Sequence, residues 1–159
     1  MVVPVGGQEP ASLLTPINEL RNDDELAPVV GSAELDALAE RYLAAMLESR
    51  CLCPVVDGAA SAQHLVVEVR AALGSEAVVV DAGLVVGYDR SRDAAIRTAA
   101  FDPSNGAVIL GSRMTLAGIA TGVVEAAEGW LVPPPGGVGP EIDLSGYTLV
   151  VILMAGSSE

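Results

Sequence analysis

The sequence Leu65-Val-Val-Glu-Val-Arg-Ala-Ala-Leu-Gly74 is followed by two apolar runs, Ala77-Val-Val-Val-Asp81 and Leu84-Val-Val-Gly-Tyr88, and this transition decides the fold. In the first segment the apolar residues recur every three or four positions, which is typical of a helix with one buried face. After Gly74 they form short continuous runs, which are typical of buried strands. The chain is therefore predicted to change from helices to a sheet at this glycine.

Two helices are predicted before the transition, at about residues 33–49 and 59–73. Ser32 is the predicted N-cap of the first, and acidic residues follow it in the first turn, where the helix dipole favours negative charge. The second helix ends at Gly74, a residue that commonly follows a helix C-terminus. The apolar stripe of the first helix consists of Leu35, Leu38, Tyr42 and Met46.

Six to seven short strands are predicted after Gly74, with Ala82-Gly83 as a tight hairpin or a bulge between the first two. The later predicted strands are residues 96–101, 107–110, 115–124, 129–132 and 147–154. Asp102-Pro-Ser-Asn-Gly106 has the composition of a turn. Gly118 and Gly122, inside the longest strand, indicate a bulge or a close approach of another backbone. Helices followed by closely connected strands predict an α+β fold with a mostly antiparallel sheet.

Residues 1–31 are predicted to form an extended arm in front of a single α+β domain at residues 32–159. Four prolines and the charged sequence Asn22-Asp-Asp-Glu25 interrupt this part of the chain. Apolar residues at helical spacing leave one alternative within it, a short helix around Ser12–Leu20.

The chain is strongly acidic, with 21 acidic and 8 basic residues and a net charge of −13. Binding to a nucleic-acid backbone requires clustered cations, so no nucleic-acid partner is expected. Docking on an anionic membrane surface is disfavoured for the same reason. A basic protein partner is compatible with this charge. The sequence shows neither a signal peptide nor an apolar run long enough to span a bilayer, so we expect a cytoplasmic protein or one carried in a virion.

Residues with metal-ligand character occur together once, as Cys51 and Cys53 with Asp57 and His64 downstream. The one-residue spacing is not the usual zinc knuckle and no second cysteine pair exists, so neither a metal nor a cofactor is predicted. The same spacing disfavours a disulfide, and reduced thiols are expected. His64 lies off the apolar stripe of its helix, four residues before Glu68, which is typical of an exposed pair.

No catalytic residue is predicted, because the sequence contains neither a nucleophile elbow nor a phosphate-binding loop. The candidate ligand-binding residues are Arg92, Arg97, Arg113 and Asp102. If the arginines share a sheet face, they can hold a carboxylate or phosphate through paired hydrogen bonds. The alternative is that they pair with neighbouring aspartates or form salt bridges between subunits.

Two functions follow from these features. The first is a non-enzymatic structural or assembly subunit, acting in a homo-oligomer or a larger protein assembly through strand pairing and its irregular segments. A phage or virion component, such as a capsid, neck or tail accessory protein, is one form of this prediction, based on composition and on no motif. The alternative is a small oligomeric enzyme or ligand-binding domain whose arginines and Asp102 hold an anionic small molecule.

Overall fold

The structure, a computed structural model, describes residues 13–50, 62–74, 79–102, 105–125, 130–132 and 138–157. Its helices are α1 (Thr15–Asp23), α2 (Ala33–Ser49), α3 (Ala62–Leu73), α4 (Arg92–Phe101) and α5 (Gly106–Ile109). Its strands are β1 (Val30–Gly31), β2 (Val79–Asp89), β3 (Met114–Val123), β4 (Leu131–Val132), β5 (Ile142–Asp143) and β6 (Thr148–Ser157).

The main sheet has four strands in the order β1-β3-β6-β2. β6 pairs antiparallel with β2 and β3, and β1 pairs parallel with β3. A second small sheet pairs β4 antiparallel with β5. The predicted α+β class and the predominance of antiparallel pairing are confirmed.

Strand β6 is the centre of the molecule, because both of its faces are covered. Leu149, Val151, Leu153 and Ala155 belong to one apolar cluster, which also contains side chains of α2 and α3. Val150, Ile152 and Met154 belong to a second cluster, with side chains of α1, α4 and α5. The helices therefore form a layer on each side of the sheet. This two-sided burial explains why the sequence of β6 is a continuous apolar run, without the alternation of apolar and polar residues that a strand with one exposed face shows.

Both helices predicted before the transition are confirmed. The Oγ of Ser32 accepts a hydrogen bond from the main-chain N–H of Leu35 at 3.3 Å, as expected of an N-cap. Helix α3 is described from Ala62, since residues 59–61 of its predicted range lie outside the described residues. Its buried side is formed by Leu65, Val66, Val69 and Leu73, which pack in the same cluster as α2.

The strands predicted at residues 96–101 and 107–110 are wrong, because most of this part of the chain is helical in α4 and α5. Ser91 caps α4 by accepting from the N–H of Ala94 at 3.2 Å. The residues of α4 buried against β2 and β6 are Ala95, Ile96, Ala99 and Ala100. Their spacing has the helical period, and alanine has the highest helix propensity.

The hairpin or bulge predicted at Ala82-Gly83 is also wrong, because β2 is one strand of 11 residues that continues through this point. Its irregularity in pairing falls between Val79 and Asp81. Gly83 is required for packing and not for a turn, since a β-carbon there would lie 2.6 Å from Cγ2 of Val108. The glycine allows α5 to lie directly on the sheet.

The described part of the predicted arm, residues 13–31, is not extended. It contains α1, in agreement with the alternative of a short helix, and β1, which is paired with β3. Pro16 lies in the first turn of α1, where a missing N–H costs little. Leu14, Ile17 and Arg21 are buried and share one side of the helix.

Arg21 is the largest polar side chain in the described core, with 1% of its surface exposed. Its guanidinium donates four hydrogen bonds to main-chain carbonyls: Nε to Ala27 at 2.8 Å, Nη1 to Ile109 and Gly111 at 2.9 Å each, and Nη2 to Met114 at 3.1 Å. Burial lowers the pKa of this guanidinium from its ordinary value. The four bonds offset much of the cost of burying the charge and fasten α1 to the segment between α5 and β3.

On the opposite face of the sheet, α2 lies so close to β3 that the strand needs glycine. A β-carbon on Gly118 would overlap the main-chain carbonyl carbon of Leu35 and the nitrogen of Asp36. The close approach of a backbone, one of the two alternatives predicted for Gly118, is therefore confirmed. Oδ1 of Asp36 accepts a hydrogen bond from the N–H of Ile119 at 2.9 Å, which fixes the helix against the strand edge.

The substitution Gly118→Ala is expected to destabilise the protein by about 3 kcal/mol, since the added methyl group meets main-chain atoms that cannot rotate away. Gly122→Ala, in the same strand, is the matched control. Its methyl group would meet the flexible end of Leu43 at 3.1 Å, so a cost below about 1 kcal/mol is expected. Urea unfolding of both variants measures the difference, and equal midpoints would contradict the close approach.

The substitution Arg21→Met is expected to lower the free energy of unfolding by about 3 kcal/mol, because it leaves carbonyl groups without donors. Arg41→Met provides the comparison, since the Arg41 side chain is 67% exposed and pairs with Glu68 on the surface. Its loss should cost less than about 1 kcal/mol. Denaturant titration checks both, and similar losses for the two variants would show that the buried hydrogen bonds contribute little.

Candidate functional site

Two of the predicted ligand-binding residues lie together. Arg92 and Arg97 line a cavity of about 250 Å³ between the start of α1 and the first two turns of α4. Both arginines have carboxylate neighbours: Nη2 of Arg97 lies 3.6 Å from Oε1 of Glu19, and Nε of Arg92 lies 3.7 Å from Oδ1 of Asp93. Arg92 thus lies near an adjacent aspartate, as in the alternative given above, whereas the carboxylate near Arg97 belongs to a glutamate of α1.

The other two predicted residues lie elsewhere. Asp102 is the C-cap of α4 and lines a different cavity, described below. Arg113 precedes β3, where its main-chain carbonyl group approaches Gly156 of β6 so closely that a β-carbon on that glycine would overlap it. The four residues therefore do not line one cavity. Anion binding by Arg92 and Arg97 stays a prediction.

The outer edge of β2 is a second candidate site, and the register of the sheet shows which main-chain groups point outwards there. The N–H of Ile119 points away from β6, towards Asp36. Its register partner Ile152 must therefore direct its own N–H and C=O towards β2, because antiparallel pairs alternate in this way. Ile152 lies opposite Val85, so Val85 points inwards and its neighbours point outwards.

The outward-pointing residues of β2 are Ala82, Leu84, Val86 and Tyr88. No strand among the described residues pairs with this edge, since β2 is the last strand in the order of the sheet. The side chains of the four residues pack against the α2–α3 cluster and are half-buried. Within the part of the chain that the structure describes, their N–H and C=O groups form a row of donors and acceptors that another strand can pair with.

A cavity of about 320 Å³, which we call the edge cavity, lies along the last part of this edge. It is lined by Val86, Gly87, Tyr88, Asp89, Thr98, Ala99, Asp102, Ile142 and Tyr147. These residues come from both sides of the sheet: α4 contributes on one side, and the tyrosines on the other. The edge cavity therefore surrounds the edge of β2 and is not confined to one face.

Aromatic rings form one side of the edge cavity. Tyr88 and Tyr147 pack edge to face, with ring centroids 5.9 Å apart and an interplanar angle of 63°. The guanidinium carbon of Arg90 lies 4.6 Å from the centroid of the Tyr147 ring, a cation–π contact. Burial is the main cause that raises the pKa of Tyr88 above its ordinary value, so its hydroxyl group stays protonated at neutral pH.

The other side of the edge cavity carries negative charge. Oδ2 of Asp89 accepts a hydrogen bond from the Thr98 hydroxyl at 2.7 Å, and Oδ1 accepts one from the N–H of Arg90 at 2.7 Å. The bond from Thr98 is the largest cause of a pKa for Asp89 below its usual value, followed by the bond from Arg90. Asp89 is therefore ionised at neutral pH and held in one position beside the cavity.

The sequence analysis identifies one acidic residue of the edge cavity but neither of its two tyrosines. Asp102 is among the predicted ligand-binding residues, although its neighbours differ from those expected. Tyr88 and Tyr147 are far apart in the sequence, and they meet because β2 pairs with β6 in the register that places Tyr88 opposite Leu149. Each tyrosine lies at the end of a predicted strand, which is compatible with a site at the edge of the sheet. The contact between the two rings can be predicted only when the pairing of those strands is known.

A metal centre is not evident in the described part of the chain, where no group of three or more His, Cys, Asp or Glu side chains is placed to hold an ion. Cys51, Cys53 and Asp57 lie outside that part, and the His64 side chain is not described, so the expectation for these residues stays a prediction. Among the described helices, none is both long and apolar enough to cross a membrane.

Comparison with known proteins identifies the fold alone. No model of a known protein family matches the sequence, and no match was found among curated proteins. Among solved structures, an outer surface protein from Borrelia burgdorferi is similar, with a TM-score of 0.62 and 12% sequence identity. The match covers 93% of this chain and 92% of that one. At this identity the similarity extends to the arrangement of the chain and not to its chemistry.

The hydrogen bond from Thr98 to Asp89 leads to a prediction about ionisation. Thr98→Val removes the hydroxyl group at nearly constant volume, so the pKa of Asp89 should rise towards its ordinary value of about 3.9. Asp143 serves as an internal reference, since its pKa is lowered by hydrogen bonds from Ser145 and should not change. An NMR titration of the carboxyl carbons measures both, and an unchanged Asp89 would contradict the bond.

Proposed function

We propose that this chain is a non-catalytic subunit of a protein assembly and binds its partner by β-strand addition at the outer edge of β2. The observation that carries the proposal is the row of outward-pointing main-chain groups at Ala82, Leu84, Val86 and Tyr88. An extended segment of another chain can hydrogen-bond to such a row and become the next strand of the sheet.

The described residues of β2 lack several features that usually protect an edge strand, which supports the proposal. Edge strands are usually protected from association by shortness, proline, bulges or charged side chains. β2 has 11 residues and no proline, and its irregularity lies near its first residue. Between Ala82 and Tyr88 the sequence contains no charged residue. A long, regular and uncharged edge is typical of a strand that acquires a partner.

The opposite edge of the sheet differs from β2. β1 pairs with β3 at Leu116 and Ala117, and the N–H of Ser32 donates to the carbonyl group of Ala117 at 2.9 Å. Asp36 accepts from the N–H of Ile119 in the same edge. Main-chain groups along this part of β3 are therefore occupied within the chain, which favours β2 as the edge for a partner.

A short neutral peptide, acetyl-Thr-Val-Thr-Val-Thr-amide, is a suitable probe for this mode of binding. In an NMR titration we expect shifts and slower hydrogen exchange at the outward N–H groups of Val86 and Tyr88, the two that the valines would face when the peptide lies along the edge cavity. The same peptide with both valines N-methylated lacks the donors that would face β2 and should not bind. Shifts confined to other parts of the surface would contradict strand addition at this edge.

The substitution Val86→Pro tests the same edge from the side of the protein. Proline removes the outward N–H of residue 86 and obstructs a neighbouring strand, while an edge position tolerates it. We expect at least about a threefold loss of affinity for the neutral peptide, equal to about 0.7 kcal/mol. Val86→Ala is the matched control, since it shortens the same side chain but keeps the N–H, and it should bind more tightly than the proline variant. Thermal unfolding of both variants confirms that the fold is retained.

A further inference from the structure

We propose that the edge cavity selects the partner by receiving a basic side chain, so that the segment added to β2 carries an arginine or lysine opposite Gly87. This inference rests on the proposed function, because it names the chemistry of the strand that would be added. It follows from the geometry of strand pairing, from the charges around the edge cavity and from the charges of β2 itself.

The geometry determines which side chain of an added strand would reach the acidic side of the edge cavity. Residues directly opposite each other in neighbouring strands place their side chains on the same face of the sheet. Gly87 faces α4, as shown by the 2.6 Å that would separate its β-carbon from that of Ala99. The residue opposite Gly87 would therefore extend its side chain beside Thr98, Asp89 and Asp102.

The same geometry places the neighbouring residues of the added strand on the other face. The residues opposite Val86 and Tyr88 would lie beside these two half-buried side chains, in continuity with the α2–α3 cluster. Apolar side chains suit that surface. The strand favoured by the edge cavity therefore alternates, with a basic residue flanked by two apolar residues.

The electrostatics of the acidic side favour a cation. Asp89 is ionised at neutral pH, since hydrogen bonds from Thr98 and Arg90 lower its pKa. Asp102 lies at the C-terminal end of α4, where the helix dipole adds negative potential. The neighbouring cation Arg90 is placed over the ring of Tyr147, on the opposite face of the sheet from α4. The net charge of the chain, −13, adds a general attraction for a basic partner.

The volume of the edge cavity fits one side chain. At about 320 Å³ it lies at the lower limit of cavities that hold small-molecule ligands. On the side of α4 its lining combines Asp89 and Asp102 with the hydroxyl group of Thr98, oxygen atoms that suit the donors of a guanidinium or an ammonium group. A single arginine or lysine side chain opposite Gly87 can reach this part of the cavity.

A second copy of this chain is a poor occupant, because of the charges at the two ends of β2. In an antiparallel pair of β2 strands, the register that matches all four outward-pointing residues places Val85 opposite Val85 of the second copy. That register places Asp81 opposite Asp89 twice, and like charges directly opposite each other destabilise a strand pair. Two chains of net charge −13 also repel each other at a distance.

The experiment compares three peptides that differ at the central residue: acetyl-Thr-Val-Arg-Val-Thr-amide, the neutral peptide with threonine there, and a third with glutamate. Calorimetric or NMR titration at low ionic strength measures their affinities. We expect the arginine peptide to bind about tenfold more tightly than the neutral one, because its guanidinium can pair with the carboxylates beside α4, and the glutamate peptide to bind most weakly. The advantage of arginine should fall as salt is added.

Variants of the edge cavity locate the effect. Asp89→Asn and Asp102→Asn each remove one charge at constant shape, and each should reduce the tenfold advantage of arginine to about threefold or less. Asp81→Asn is the matched control, since it removes the same charge from the exposed far end of β2. The control should leave the preference nearly unchanged. Thermal unfolding of the three variants confirms that they remain folded.

The outcomes separate this inference from the proposed function. If the neutral peptide binds at the edge of β2 and arginine gives no advantage, the basic partner is wrong and strand addition stands. An equal effect of Asp81→Asn and Asp89→Asn would show that net charge, not the edge cavity, attracts the peptide, and it too overturns the inference. If sedimentation shows self-association that Val86→Pro abolishes, a second copy is the occupant. If no peptide binds at the edge, both proposals fail.

Discussion

The burial of β6 on both faces is the constraint on which the rest of the structure depends. From Leu149 to Ala155 this strand has no polar side chain, so it needs an apolar layer on each side and a paired strand along each edge. Helices α2 and α3 cover one face, and the second set of helices covers the other. The order of the sheet follows, because β2 and β3 can satisfy the main-chain groups of β6 only from opposite edges.

The two layers are fixed to the sheet by different means. On one face the backbones of α2 and β3 are in contact at Gly118, and the carboxylate of Asp36 holds the strand edge. On the other face α1 is fastened by the guanidinium of Arg21, whose acceptors are all main-chain carbonyls. Together these contacts leave β2 as the strand whose outer edge has no strand partner in the described chain. The candidate site therefore lies at the edge of the sheet that these contacts of the core do not cover.

The parts of the fold that the sequence predicts are those in which apolar residues follow a clear period or an unbroken run. Helices α2 and α3 and the run in β6 are of this kind. Helix α4 is different, because alanines supply most of its buried face and a short run of small residues fits a strand as well as a helix. The burial of Arg21 is equally hard to predict, since a charged residue next to Asn22 and Asp23 has the pattern of an exposed break. The edge cavity depends on strand register, which no local pattern of residues contains.

The hydrogen bonds of Arg21 also determine when, during synthesis of the chain, α1 can reach its position in the fold. Three of its acceptors lie 88, 90 and 93 residues further along the chain, so the helix that is synthesised early meets its binding site only after the residues preceding β3 have been made. Until those residues have been made, Leu14 and Ile17 lack part of the apolar cluster that covers them in the folded protein. Closing a loop of this length carries an entropic cost, and contacts between residues so distant in sequence slow folding. Helix α1 therefore gains these contacts only after the residues as far as Met114 have been made.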